Sequence, residues 1–353
     1  MRSTAGQRGE AALPTTYAPM EATPVAELPI GPEWQYEPKW DGFRCLAFKR
    51  DSTVELRSKS GQPLERYFPE VAAALRAVNA EGFVLDGEIV VPVATTLSFD
   101  QLLQRIHPAR SRVERLATEH PALYIVFDLL ADSASTLLVG QPLAERRIVL
   151  EEFIKARVPR NSLLRLSPQT RDIRQARQWL LSLGSGLDGV VAKRVDLSYQ
   201  SGNRHGMQKF KPEHTADCVV GGFRYSAKGH TVGSLLLGLY DDQGLLHHVG
   251  FASNIKTAER ASLTRKLQKL VRPPGFTGRA PGGPSRWSTE RSGEWTPLAP
   301  KLVAEVRYDH FSGERFRHGT RFLRWRPDKP ARLCRMSQVV REPRRGFGAL
   351  LAR

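Results

Sequence analysis

The chain has 353 residues, with 53 Lys plus Arg against 36 Asp plus Glu, a formal charge of +17. Hydrophobic residues make up 41%, enough for real cores over a length of two or three domains, so a wholly disordered basic chain is excluded. No apolar run approaches the roughly 20 residues of a membrane span, the first residues lack the apolar centre of a signal peptide, and Cys45, Cys218 and Cys334 lack the spacing of a disulfide framework or zinc site.

In chain order, residues 1–19 carry small and polar residues without periodicity and are expected to form a flexible leader. Short β-rich runs follow at 44–49 (RCLAFK), 53–58 (TVELRS), 83–92 (FVLDGEIVVP), 123–130 (LYIVFDLL) and 189–193 (GVVAK). Helical patterns lie between them at 69–78, 99–106, 143–156 and 173–183. The mixture has no regular βαβ repeat, so the expected class for 20–213 is α+β with antiparallel sheets rather than a Rossmann fold. Beyond Lys211-Pro212 strands are expected at 218–225, 233–240, 245–251, 302–309 and 320–326. A basic helix capped by Thr257 runs to 271, and a Gly/Pro/Arg loop spans 272–293. Five strands with one helix and a positive surface over 214–330 suggest an OB-fold barrel. Residues 331–353 read as a basic C-terminal tail of unassigned role.

Charge divides unevenly along this order. Up to Glu213 the chain carries +3, and after it +14. That asymmetry suggests a near-neutral catalytic domain followed by one that meets a polyanion. Only 13 of the basic residues are lysines, and several fall in short motifs. In Glu37-Pro38-Lys39-Trp40-Asp41-Gly42-Phe43-Arg44 an amine stands beside a tight turn, a carboxylate and a guanidinium. Such a lysine becomes a nucleophile where neighbouring cations or desolvation favour its neutral form; a surface turn is the alternative for this motif alone. Further along come Asp86-Gly87-Glu88, Phe127-Asp128, the run Asp188-Gly189-Val190-Val191-Ala192-Lys193, then Lys209-Phe210-Lys211 and, within 320–329 (TRFLRWRPDK), Lys329.

The ordered set KxDGxR, DGE, FD, DGVVAK and KFK resembles the covalent nucleotidyltransferases, and specifically the ATP-dependent DNA ligases, from about 20 to 329. The ending RHGTRFLRWRPDK is similar to that of the small bacterial type C ligases, which are associated with DNA repair. The resemblance implies a nucleotidyltransferase (ATP-grasp-like) domain followed by the OB fold, and ATP with Mg²⁺ or Mn²⁺ as cofactors. It implies three steps: adenylation of Lys39, transfer of AMP to the 5′-phosphate of a nick, and sealing by the 3′-OH.

It also implies roles. Lys209 and Lys211, alternate residues of a strand, would share one pocket and contact the α-phosphate. Glu88 and Asp188 would serve Mg²⁺, with Asp188 standing where these ligases usually have Glu and its shorter reach favouring a water-mediated contact. Glu37 would read the adenine amino group, Phe127 would stack on the base and Val191 would close its other face. Arg44 and the 57–61 turn, with Lys59 in place of the usual Arg, would contact the ribose and the nick 5′-phosphate. Arg146 either supports the pocket or forms a helix-surface ion pair. Arg324, Arg326 and Lys329, one of them oriented by Asp328, would act on the departing pyrophosphate. His310 and His318 read as part of a polar hairpin.

Arginine-rich stretches supply weaker expectations for DNA: Arg105, Arg110 and Arg112; Arg265 and Lys266, with Arg260 and Lys269 on the same helix; Arg286 and Arg291, near Arg279. Expected partners are nicked duplex DNA and other repair proteins, for a monomer associated with the nucleoid in the cytoplasm and not with a membrane. RNA ligation, mRNA-capping chemistry and a catalytically inactive DNA-binding protein remain alternatives.

Overall fold

The computed structural model describes residues 13–132, 136–182, 187–227, 229–282, 294–340 and 347–351. They fall into two compact units, divided between Lys211 and Pro212, with the C-terminal helix Gly348–Leu351 belonging to the first. The expected boundary at 213 lies two residues further on.

Two larger sheets, with a two-stranded one of Pro92–Val93 and Thr96–Leu97, form the first unit. The larger has five strands in the order Thr53–Ser58, Phe43–Arg50, Gly82–Val90, Leu123–Ala131 and Leu164–Leu166. The smaller has four: Thr23–Val25, Met207–Phe210, Gly189–Arg194 and Trp34–Lys39. Pairing is antiparallel except between Thr23–Val25 and Met207–Phe210 and between Leu123–Ala131 and Leu164–Leu166, so the sheets are mixed where wholly antiparallel ones were expected.

Alternation along the strands decides which side chains meet. Trp34 and Tyr36 of one strand and Val190 and Ala192 of its partner turn to a core that also holds Trp40 and Trp179. Their odd-numbered neighbours turn the other way, toward the large sheet. There Met207 and Tyr199 join Leu46, Phe48, Val84 and Leu130 in a second cluster. The far face of the large sheet is covered by Pro69–Arg76 and Leu143–Arg157, whose Val71, Leu75, Leu150 and Phe153 are buried in a third. Arg110–Glu119 and Gly348–Leu351 are helices beyond the expected set; the arginines of the first obscure the apolar pair Val113 and Leu116 on its buried face.

Two termini differ from expectation. The leader is packed from Leu13 onward: Leu13 and Met20 are buried, the carbonyl of Leu13 accepts from Arg50, and the rings of Tyr17 and Tyr199 lie 6.1 Å apart. The C-terminal stretch is built into the fold as well. Cys334 and Val339 are buried in the second unit and Phe347 in the first. In both termini a few apolar residues suffice for anchoring, too sparsely spaced to register as periodicity.

The second unit is a six-stranded sheet in the order Leu246–Ala252, Val232–Tyr240, His214–Tyr225, Val303–Tyr308 and Arg321–Trp325, with the short Thr296–Pro297 pairing His214–Tyr225. Its edges approach one another: Thr320 donates its N–H to the carbonyl of Phe251, and Asn254 exchanges two hydrogen bonds with the backbone of Phe322. Thr257–Gln268 is the one α-helix of at least two turns among its described residues. Lys256, not Thr257, occupies its N-cap, and no side-chain cap bond forms there. No described helix is long and apolar enough to cross a membrane.

Candidate functional site

The two sheets of the first unit frame a cavity of about 190 Å³. Its small-sheet wall follows from register. Glu37 stands opposite Val191, which stands opposite Lys209; one row along, Gln35, Lys193 and Met207 are aligned. Side chains in such rows share a face, and Glu37, Val191, Lys193, Met207 and Lys209 all line the cavity. Arg44, Glu88 and Phe127 enter from the large sheet, Lys59 from the turn after Thr53–Ser58, and Lys39 and Trp40 from the end of Trp34–Lys39.

The motif glycines are required by close approach. A Cβ on Gly42 would lie 2.1 Å from the carbonyl oxygen of Ile89, and one on Gly189, at φ +146°, 2.0 Å from that of Phe210. Gly189 thereby lets its strand lie against the end of Met207–Phe210, where Lys211 follows. Asp188, beside it, donates its backbone N–H to the carbonyl of Lys39 at 2.9 Å.

Charge in the cavity is paired residue by residue. Oδ2 of Asp188 accepts from Nζ of Lys39 and lies 2.8 Å from Nζ of Lys211. Burial pushes this carboxyl up, but the two ammoniums outweigh it and hold Asp188 below the usual carboxylate range. Burial, then the cations Lys39 and Lys211, lowers the Lys209 ammonium. Glu88 is pushed up to about 7 by burial, against the pull of Lys39 and Arg44. The Arg44 guanidinium grips both oxygens of the buried Asp86 at 2.6 Å, and Tyr199 donates its hydroxyl to the same carboxylate. Lys59 is exposed and pairs with Glu21 at 3.1 Å.

Eight of the sequence-predicted residues, Glu37, Lys39, Arg44, Lys59, Glu88, Phe127, Val191 and Lys209, thus share one cavity, with Lys211 and Asp188 joined to it through Lys39. Phe127 carries more than expected: Arg44 Cζ and Lys193 Nζ each lie 4.4 Å from its ring centroid. Residues beyond the expected set are Gln35, Lys193, Trp40, Met20 and Met207. Two-residue alternation from Glu37 and Val191 leads to Gln35 and Lys193; no sequence signal marks Met20. Arg146 is inside the unit, gripping both oxygens of Asp128 at 2.9 Å. Its ion pair is therefore buried and not on a helix surface.

No group of three or more His, Cys, Asp or Glu gathers to hold a metal ion among the described residues. The carboxylates of Glu88 and Asp188 are nonetheless hard oxygen donors of the type Mg²⁺ takes, in the small number it uses while keeping waters and substrate oxygens. With Asp188 committed to two lysines, Glu88 is the better placed of the pair.

In the second unit, Arg326 (NH1, at 3.1 and 3.2 Å) and Lys329 (2.7 Å) converge on Asp217, and Asp328 holds the other edge of the Arg326 fork. Arg324 pairs instead with Glu305 at 2.6 Å. Nδ1 of His318 donates to the Asp309 carboxylate, 2.8 Å away.

The arginine-rich stretches separate. Arg105 is 1% exposed, bonded to Glu70 and to the carbonyl of Tyr67. It is a core residue and is not placed for the expected DNA contact. Arg110, Arg112, Arg265 and Lys266 are exposed. Arg286 and Arg291 lie outside the described residues.

Two family models match the chain: the ATP dependent DNA ligase domain over 19–211 and the ATP dependent DNA ligase C terminal region over 228–329. The chain belongs to the ATP-dependent DNA ligases. DNA ligase C2 of Mycolicibacterium smegmatis is 43% identical over 344 residues, 92% of this chain and 95% of that one. This places the ligase with the small bacterial C type. The multifunctional non-homologous end joining DNA repair protein LigD of Mycobacterium tuberculosis is 33% identical over 331 residues, covering 92% of this chain and 40% of that protein. A solved structure from a study of Lig E DNA ligases, 18% identical, has a TM-score of 0.52 over 88% of this ligase and 99% of that chain, a likeness of fold.

Proposed function

We propose that the cavity is the ATP site of this DNA ligase and that Lys39 is the residue that carries AMP. The observation that supports this most is the bridge of Asp188 to both Lys39 and Lys211. It sets the lysine of one motif against the lysine of another and leaves Lys209 beside them. Once Lys39 has given up its proton, Nζ attacks the α-phosphorus of ATP. An N–P bond forms as the bond to the β-phosphate oxygen breaks, and pyrophosphate leaves. Lys209 and Lys211 offset the negative charge that builds on the α-phosphoryl oxygens.

The remaining roles follow the walls of the cavity. Glu37 accepts from the adenine amino group, Val191 and Phe127 bound the base, and Arg44 and Lys59 serve the ribose and the nick phosphate. Glu88, with Asp188 behind it, would hold Mg²⁺, which when bound supplies positive charge to the phosphates. A 5′-phosphate oxygen of the nick then attacks the adenylate phosphorus and releases Lys39, and the 3′-OH displaces AMP.

The approach of the second unit's sheet edges at Thr320 and Asn254 supports an OB-type barrel. Arg324, Arg326 and Lys329, with Asp328, are assigned to the departing pyrophosphate. The exposed Arg110, Arg112, Arg265 and Lys266 are assigned to DNA phosphates, which demand charge and reach rather than a fixed geometry. A repair role, action as a monomer and association with other repair proteins complete the reading.

Nicked DNA, nicked RNA and an uncapped RNA 5′ end, each offered with ATP or GTP and Mg²⁺, separate the possible acceptors. Sealing of nicked DNA with ATP is expected. A labelled enzyme that transfers its nucleotide only to RNA would overturn the assignment.

A further inference from the structure

Both oxygens of Glu37 are held by donors that come from the protein itself. Oε2 accepts from Nζ of Lys193 at 2.8 Å, and Oε1 accepts from Nε2 of Gln35 at 2.9 Å. Glu37 is 2% exposed and the Lys193 side chain 6%. Lys193 also lies over the Phe127 ring, so one ammonium ties together two residues of the cavity wall. A carboxylate offers about four acceptor sites. With two donors already pointing at it, Glu37 presents its remaining lone pairs to the cavity, as acceptors.

We infer that Lys193 and Gln35 are the positioning residues that make the nucleotide site select a purine with an amino group at C6. An oriented acceptor receives a hydrogen from such an amino group. It faces an unmatched acceptor when C6 carries a carbonyl, as in guanine or hypoxanthine, and an unmatched buried pair is costly. Without Lys193 the carboxylate of Glu37 loses its charged partner and its fixed orientation, so the choice between the two purine classes relaxes. The inference rests on the reading that Glu37 meets the base.

The test compares ATP with ITP, which differ at C6, as donors for the covalent enzyme–nucleotide adduct of the full chain. The ratio of their kcat/KM values is read for wild type, Lys193→Met, Gln35→Leu and Glu37→Gln. Lys193→Met is expected to lower the ATP/ITP ratio by roughly tenfold or more, as expected for loss of a charged hydrogen-bond partner, chiefly through KM for ATP. Gln35→Leu, losing a neutral donor, should lower it a few-fold. An unchanged ratio in Lys193→Met, with the ratio collapsed in Glu37→Gln, overturns the positioning role alone. An unchanged ratio in Glu37→Gln overturns the adenine reading beneath it. A uniform fall for both nucleotides in Lys193→Met marks the pair as structural and also overturns the inference. Should Lys193→Met fail to fold, Gln35→Leu decides by the same ratio.

Discussion

The cavity of the first unit and the surface of the second use positive charge in opposite ways. In the first, Lys39, Lys193, Arg44 and Arg146 are each fixed to a carboxylate with little or no exposure, namely Asp188, Glu37, Asp86 and Asp128. In the second, most described pairs stand in solvent, as with Arg324 and Glu305 or Arg279 and Glu314. Buried pairs cost desolvation and return geometry; exposed pairs contribute little stability and leave cations free to exchange partners. On the proposed reading, the first must place one nucleotide to a fraction of an ångström, whereas the second grips a duplex backbone by number and reach. The knot of Arg326 and Lys329 on Asp217 and the His247–Asp241 pair are more sheltered. The knot falls on the residues assigned to pyrophosphate.

The contrast predicts where mutations act. The largest loss of stability is expected from Arg146→Met, which strands Asp128 inside the first unit. About 3–5 kcal/mol should be lost in urea titration, partly restored when Asp128→Asn removes the orphaned charge. A smaller effect, set by pH, belongs to the second unit. Burial, with Arg224, Arg279 and Arg315 nearby, pushes His248 down to about 4. The ring is therefore neutral when folded, and its contribution is complete above the unfolded value of about 6.5. As pH falls through 4 that contribution, about 3 kcal/mol, is lost. Denaturant midpoints of the second unit should fall across this window, and His248→Gln should flatten the fall. The smallest effect is expected from Arg265→Ala with Lys266→Ala. Stability should fall by no more than about 1 kcal/mol, from loss of the Lys266 ammonium over the Trp325 ring, while the slope of log affinity against log salt for nicked DNA drops by about one for each phosphate no longer neutralised; an unchanged slope would mark this as a solvated face.

How much the sequence disclosed depended on whether a residue's role is local. Lys39 and the Lys209/Lys211 pair are legible because motif and strand alternation place them without further knowledge of the fold. The Glu37–Lys193 pair is not, since it depends on the register of strands more than 150 positions apart. Arg105 misleads for a related reason. Arginine content suggests a surface, but Glu70 and a backbone carbonyl supply the partners that allow burial. The anchoring of Leu13, Cys334 and Phe347 was hidden because single apolar residues leave no period to read.

On the proposed reading, Lys39 holds AMP as the covalent intermediate of DNA sealing. Incubating the full chain with Mg²⁺ and ATP radiolabelled on its α-phosphate, then denaturing it, tests this directly. A labelled, acid-labile adduct is predicted that Lys39→Ala abolishes and that nicked DNA discharges into sealed product. A folded Lys39→Ala protein that still takes up label, or a wild-type protein that seals DNA without labelling, would contradict it.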